Sequence, residues 1–393
     1  MDFSNVLKLE IPEGNVTKII DSSDGRLLWE SRRGNVFGVC WDTSNPSTAL
    51  TRLTHKTDPY RLVTQTVTEE PKPAVGTGEG SSPFDAFMPW SGVEECNINS
   101  SGTVTARKGD GKFSRDDLYV MVHIPEFYVA YRESGTKKYF YISDVSDEKF
   151  VKHPGSGKLV GRYHMCDFYG IGISKTESAP FTNLTRSAAR DKAKMNGNLF
   201  HLYDFATYCA IIWLYLIEFA DWDVQSKIGW GAVSCDSDVT SGATDSMTYH
   251  TGRAFGTDIK TAVQYRGVEN LWGNVYQWVD GFNANGTTAY YCTEPSKYAD
   301  DTATGYTNIG TLPASGWIKD LTVTDNGLLI PKTSGGSETT YIPDYMRSSS
   351  GWHALFVGGD WNCGPYAGLL CFYAHGLSSG SGSNISARLM CEA

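Results

Sequence analysis

From Trp361 to Ala387 there is not one Asp, Glu, Lys or Arg, although charged residues make up 20% of the 393-residue chain. Other absences narrow the class. The nine cysteines, at 40, 96, 166, 209, 235, 292, 363, 371 and 391, form no CxxC pair and no zinc spacing, and their number is odd, so free thiols made in a reducing compartment are expected. Lys and Arg are not clustered and the net charge is -10, which argues against nucleic acid, because phosphate contacts need concentrated positive charge. The short pairs Arg32-Arg33 and Lys137-Lys138 read as solvated faces or turns. The N-terminus MDFSNVLKLE lacks the basic and apolar regions of a signal peptide. The longest apolar run, Phe205 to Ile217, is shorter than the about 20 residues that cross a bilayer, so no membrane insertion is expected.

What fills the uncharged stretch is Gly, Ser, Asn, Tyr and His, which lack the apolar area to build a core. Tyr and Trp supply rigid contact area while Ser, Gly and Asn supply adaptable hydrogen bonding, the mixture of a recognition surface. Between them runs a framework of Gly359, Trp361, Ala367, Gly368, Leu370, Phe372, Ala374, Ile385, Ala387 and Leu389. Leu370, Phe372 and Ala374 alternate with Cys371, Tyr373 and His375, the period of a strand with one buried face, so the second trio is expected to point outward together.

Upstream, residues 1–34 alternate apolar runs (Val6 to Ile11, Val16 to Ile20, Leu27 to Trp29) with turn residues Pro12-Glu13-Gly14 and Asp24-Gly25, a small β-meander. Residues 35–116 read as β and loop, with a Pro/Gly-rich linker near 69–83. Gly76-Thr77-Gly78-Glu79-Gly80 there lacks the lysine, following helix and spacing of a phosphate loop. Strands are expected at Leu118 to Ile124, Phe127 to Arg132 and Lys138 to Ser143. Thr185 can cap a helix to Met195, and Asp204 a second, apolar almost all round, to Ala220. Residues 117–393 thus form an α+β domain rich in long loops. Asp221-Trp222-Asp223 and Asp236-Ser237-Asp238 lack the Gly and Glu of an EF-hand and read as solvated turns. The eight histidines stand singly, without HExxH or a nucleophile pattern.

Gly267 to Gly281, GVENLWGNVYQWVDG, reads as a tight loop entering a strand. Gly273-Asn274-Val275-Tyr276-Gln277-Trp278, then Gly358-Gly359-Asp360-Trp361, then Ser386-Ala387-Arg388 resemble, in order, the signature runs of the formylglycine-generating-enzyme-like branch of the C-type lectin fold. Within that branch the chain is similar to the variable proteins of diversity-generating retroelements, which are phage tail receptor-binding proteins. The likeness runs through HTGRAFGTD, YYCTEPSKYADD, TTYIPDYM and GWHALFVGGDW and covers most of residues 84–393.

The resemblance implies a C-type lectin fold with a small N-terminal β module, and a non-enzymatic adhesin on the virion tail, made in the bacterial host cytoplasm. Its partners would be a bacterial cell-surface receptor, protein or glycan, other tail proteins through the N-terminal module, and copies of itself in a homo-oligomer such as a trimer. It implies a diversified segment at about 346–388 whose contact residues are Arg347, Ser349, His353, Asp360, Asn362, Cys363, Tyr366, Cys371, Tyr373, His375, Gly376, Leu377, Gly380, Gly382 and Asn384. The oxidases of the same branch carry a calcium loop matching Asn270, Gly273, Val275 and Gln277, where Gln in place of Glu removes a charge that a hard cation favours. No other cofactor is implied for the adhesin. The alternative activity is a copper oxidase acting on protein cysteine, which needs a more closely spaced pair of thiols than Cys363 and Cys371.

Overall fold

The computed structural model describes residues 34–393, and of the preceding stretch the backbone of three strands, Val6–Glu10, Val16–Asp21 and Leu27–Arg32. These pair antiparallel in sequence order. The side chains of Arg32-Arg33 and the turns Pro12-Glu13-Gly14 and Asp24-Gly25 lie outside the described residues.

The rest is mostly β, with few helices. A nine-stranded sheet dominates, running Thr307–Thr311, Thr288–Tyr291, Tyr276–Asn285, Trp352–Gly358, Gly368–Gly376, Tyr345–Ser348, Gly316–Val323, Leu329–Ser334, with Ile385–Ser386 added beside Tyr276–Asn285. The helix Phe205–Phe219 is buried along its whole length, as its unbroken apolar surface requires. Asp204 caps it by accepting from the Thr207 amide at 2.8 Å. Its first ring, Phe205, meets Phe282 and Phe372 of the large sheet at 4.9 and 6.3 Å, while Trp213 meets Phe140 of a second, five-stranded sheet at 5.2 Å. The helix Arg186–Lys194 begins at the cap Thr185, which accepts from the Ala188 amide at 3.1 Å.

Several segments that read as linker or solvated face are buried, because polar groups can be buried when they find partners. The boundary near residue 116 does not separate sheets. Val36–Asp42 pairs with Lys137–Ser143, and Glu94–Ile98 pairs with Val120–Ile124, so residues 35–116 and 117–393 share them. The stretch 69–83 is not a free linker: Ala74–Val75 pairs with Gly252–Arg253, Lys72 bridges Ser81, and Tyr249 packs where a Gly80 side chain would stand. Lys138 is 2% exposed, its ammonium held by Asp320 and the Leu321 carbonyl. Nor is Asp221-Trp222-Asp223 solvated. Trp222 is fully buried against Trp41, ring centroids 5.2 Å apart, and Asp223 caps the short helix Val224–Lys227.

Candidate functional site

The strand Gly368–Gly376 runs through the middle of the large sheet, antiparallel to Trp352–Gly358 and parallel to Tyr345–Ser348. Register puts Phe356 and Arg347 on either side of Tyr373. Alternation sorts the strand's residues as expected, Leu370, Phe372 and Ala374 to the main core and Cys371 and Tyr373 to the opposite face. That opposite face is not open. Cys371 is fully buried and Tyr373 is 4% exposed, because a second layer of side chains covers them; His375 alone of the outward trio is half-buried.

An aromatic cluster forms on that face. Tyr276, at the start of Tyr276–Asn285, lies 4.8 Å from Phe356 and 5.3 Å from Tyr373, and His375 lies 5.4 and 5.3 Å from the same two rings. The Arg347 guanidinium sits 5.2 Å over Tyr373 and 5.6 Å over Tyr345, within cation–π range. Tyr366 stacks on Trp317 at 5.1 Å and meets Tyr345 edge-on at 4.8 Å.

Over this cluster the chain from Gly358 to Ala367 makes a tight loop. Gly359, at φ 83, has no room for a side chain, since a Cβ would fall 2.6 Å from that of Ala367. Asn274 anchors the loop: its carbonyl accepts from the Trp361 amide at 2.9 Å, while its side chain exchanges hydrogen bonds with the Val239 backbone. Asp360 accepts from the Asn362 amide at 3.1 Å and from the Asn384 side chain at 2.6 Å, tying the loop to the segment before Ile385–Ser386.

Loop, strands and terminal segment enclose an open hollow of ≈ 390 Å³. Of the expected contact residues, Arg347, Asp360, Asn362, Cys363, Tyr366, Tyr373, His375 and Asn384 line it. Seven do not. Cys371 lies beneath in the core, and His353 is buried, its ring within 3.0 Å of the Gly351 carbonyl. A side chain on Gly376 would strike the Phe356 ring at 2.4 Å, so this position belongs to the framework. Ser349 and Leu377 are exposed beyond the strand ends, and Gly380 and Gly382 lie in the loop that follows. Tyr276, Phe356 and Ile385 also line the hollow. Tyr276 shares the strand face of Trp278, the only signal that could have marked it.

Burial pushes the Cys363 thiol up to about 12, assisted by the Asp360 charge, and holds Cys371 well above the usual thiol range. The Cys363 sulfur lies 2.8 Å from the Tyr276 hydroxyl. Burial lowers His375 to about 4, with the charge of Arg347 adding to the shift, so its imidazole is neutral at physiological pH.

The expected calcium loop is built from other partners, and its residues do not fit the ion. The Asn270 side-chain oxygen and the Asn270 amide both bond to Val263, at 3.3 and 2.8 Å. Gln277 turns its amide nitrogen to the Asn270 and Leu271 carbonyls at 3.2 Å, presenting hydrogens where a cation needs oxygens. The Gly273 amide donates to the Gly358 carbonyl at 3.1 Å, and Val275 is fully buried. The positive group present is Arg388, whose guanidinium also reaches the Asn270 carbonyl at 3.1 Å. Among the described residues no cluster of three His, Cys, Asp or Glu side chains could hold a metal, and no helix is long and apolar enough to cross a membrane.

No protein-family model matches the chain, and no curated protein matches it. The chain is similar to solved Major Tropism Determinant structures. For the I1 variant the likeness spans 99% of this chain and 83% of that one, at 11% identity and a TM-score of 0.31. For the M1 variant the values are 98%, 85%, 12% and 0.32, and for the U1 variant 98%, 85%, 10% and 0.30. A superposition this loose carries no residue role across, and the site is defined by its own geometry.

Proposed function

We propose that this chain is a non-enzymatic receptor-binding adhesin of a phage tail, built on a C-type lectin scaffold of the formylglycine-generating-enzyme-like branch, with the hollow as its receptor-contact surface. One observation carries the reading. Eight residues of the types expected in a diversified segment, from Arg347 to Asn384, converge on one hollow, while the apolar residues between them are buried beneath it. A surface of that construction can change its contacts without changing its core. The order of the GNVYQW, GGDW and SAR runs supports the scaffold, and Asn274 and Arg388 of those runs hold the loops in place. The three N-terminal strands serve as the attachment module to other tail proteins, and several copies on one tail, as in a trimer, would strengthen a modest affinity per site.

The oxidase alternative is disfavoured by Cys371, which has no exposed surface and lies under Tyr373, so a protein substrate cannot reach it. The test is a collection of variants at Asn362 and Tyr366. These should keep the parent melting temperature while differing in which bacterial strains they adsorb to. Variants that all adsorb as the parent does would overturn the assignment of the surface.

A further inference from the structure

We infer that the hollow takes an anionic sugar residue, its carboxylate or phosphate on the Arg347 guanidinium and its ring against the Tyr366 side of the aromatic cluster; this rests on the hollow being the receptor-contact surface. Between Met346 and Ala387 the sequence carries only two formally charged residues, Arg347 and Asp360, and both line the hollow. They are not equivalent. Asp360 is 8% exposed and each of its oxygens already accepts a hydrogen bond, from the Asn362 amide and from the Asn384 side chain. Arg347 is exposed and, among the described residues, has no carboxylate partner. The cation is therefore the charge a ligand meets at the open surface, while the Asp360 carboxylate is largely covered and tied to the loop, on a chain whose net charge is -10.

Stacking on Tyr345 and Tyr373 fixes the guanidinium plane and leaves its N–H fork for a planar or tetrahedral anion, which it can grip with two bonds. The Tyr373 hydroxyl interacts with the guanidinium and raises it further above the ordinary arginine value. Beside it the chemistry changes from charge to rings and neutral polar groups. Tyr366 is 41% exposed although Trp317 and Tyr345 cover part of it, leaving a π surface to which the weakly positive C–H face of a sugar ring is drawn. Asn362 is exposed, and the half-buried, neutral His375 ring lines the same hollow against Phe356 and Tyr373. An extended acidic peptide would use the cation but would leave the Tyr366 ring without the flat C–H face that a sugar presents.

The experiment measures binding of sodium glucuronate, glucose 6-phosphate, glucose and tetraglutamate to the full chain by NMR titration, on the parent and on Arg347→Gln. Glucuronate or glucose 6-phosphate should bind at least tenfold more tightly than glucose, and the one that does names the source of the anion. The Arg347→Gln protein should lose that margin while melting at the parent temperature. Equal affinity for glucose, tighter binding of tetraglutamate, or no binding of any sugar would each overturn the inference. Adsorption of the Tyr366→Ala protein to bacteria, measured alongside, separates the two levels. If it falls while Arg347→Gln adsorbs as the parent does, the surface assignment stands and the anionic sugar is wrong.

Discussion

Arg388 donates from Nε to the Gln277 side-chain oxygen at 2.8 Å, and its four remaining N–H groups reach the carbonyls of Gly161, Arg162, Glu269 and Asn270 at 2.7–3.1 Å. All five donors of a fully buried guanidinium are thus used without a carboxylate partner. Lysine has three donors and no fork, so Arg388→Lys should leave buried carbonyls unpaired and cost about 3 kcal/mol or more. Because this group holds the loop at Asn270 to Gln277, a strong calcium chelator should leave the melting temperature unchanged. A chelator-induced drop of several degrees would show that an ion does this work.

Gly368 is a framework position of a particular kind. The carboxyl of Asp344, fully buried and pushed well above the usual carboxylate range by desolvation, would lie 1.9 Å from a Cβ placed there. Its other oxygen accepts from the Leu370 amide at 2.5 Å, so it cannot step aside. Gly368→Ala is expected to lose about 3 kcal/mol, at the upper end of overpacking costs, in a urea titration. Stability within about 0.5 kcal/mol of the parent would mean that the strand can shift here.

Tyr373 should behave as core as well as contact. At 4% exposure and surrounded by Tyr276, Phe356 and Arg347, its truncation in Tyr373→Ala should destabilise by about 3 kcal/mol. Thermal unfolding at the parent temperature would show that the ring contributes only to the surface.

Acid should weaken the fold before most carboxylates titrate. His153 is fully buried, its ring accepting from the Gly155 amide at 3.2 Å, and desolvation lowers it to about 3. As pH falls, the unfolded chain takes up this proton first, near pH 6.5. The stabilisation is therefore complete above about 6.5 and lost toward about 3, at about 1.4 kcal/mol per pH unit within that window. Glu392, lowered to about 2 by its hydrogen bond to His201, adds a second loss below about 4.5, the ordinary glutamate range. Urea midpoints at pH 7 and pH 5 should differ accordingly, and His153→Gln should reduce the difference, the remainder belonging to His164 and His375, which burial lowers as well. An unchanged slope in that variant would assign the acid sensitivity elsewhere.

The local elements were legible because their signals are local. Thr185 and Asp204 cap the helices they were expected to cap, and the alternation at Leu370 to His375 sorts the two faces correctly. Register was not legible. Nothing in the sequence says that Arg347 lies opposite Tyr373, or that Phe356 and Tyr276 join Cys371 in one cluster, since those neighbours come from strands far apart in the chain. Burial of polar segments was missed for the same reason. Lys138 looks solvated until Asp320 is placed beside it. The partner of Gln277 in this loop, Arg388, was not legible either, because it stands more than a hundred residues downstream.

The most direct test is adsorption per folded molecule for the double variant Asn362→Ala, Tyr366→Ala, with thermal unfolding measured on the same preparation. Both side chains line the hollow, are exposed and take no part in the main core. The expected result is a melting temperature within a few degrees of the parent and adsorption reduced at least tenfold, as when an interface loses a contributing aromatic. Unchanged adsorption by a folded double variant would contradict the claim that this hollow is the receptor-contact surface.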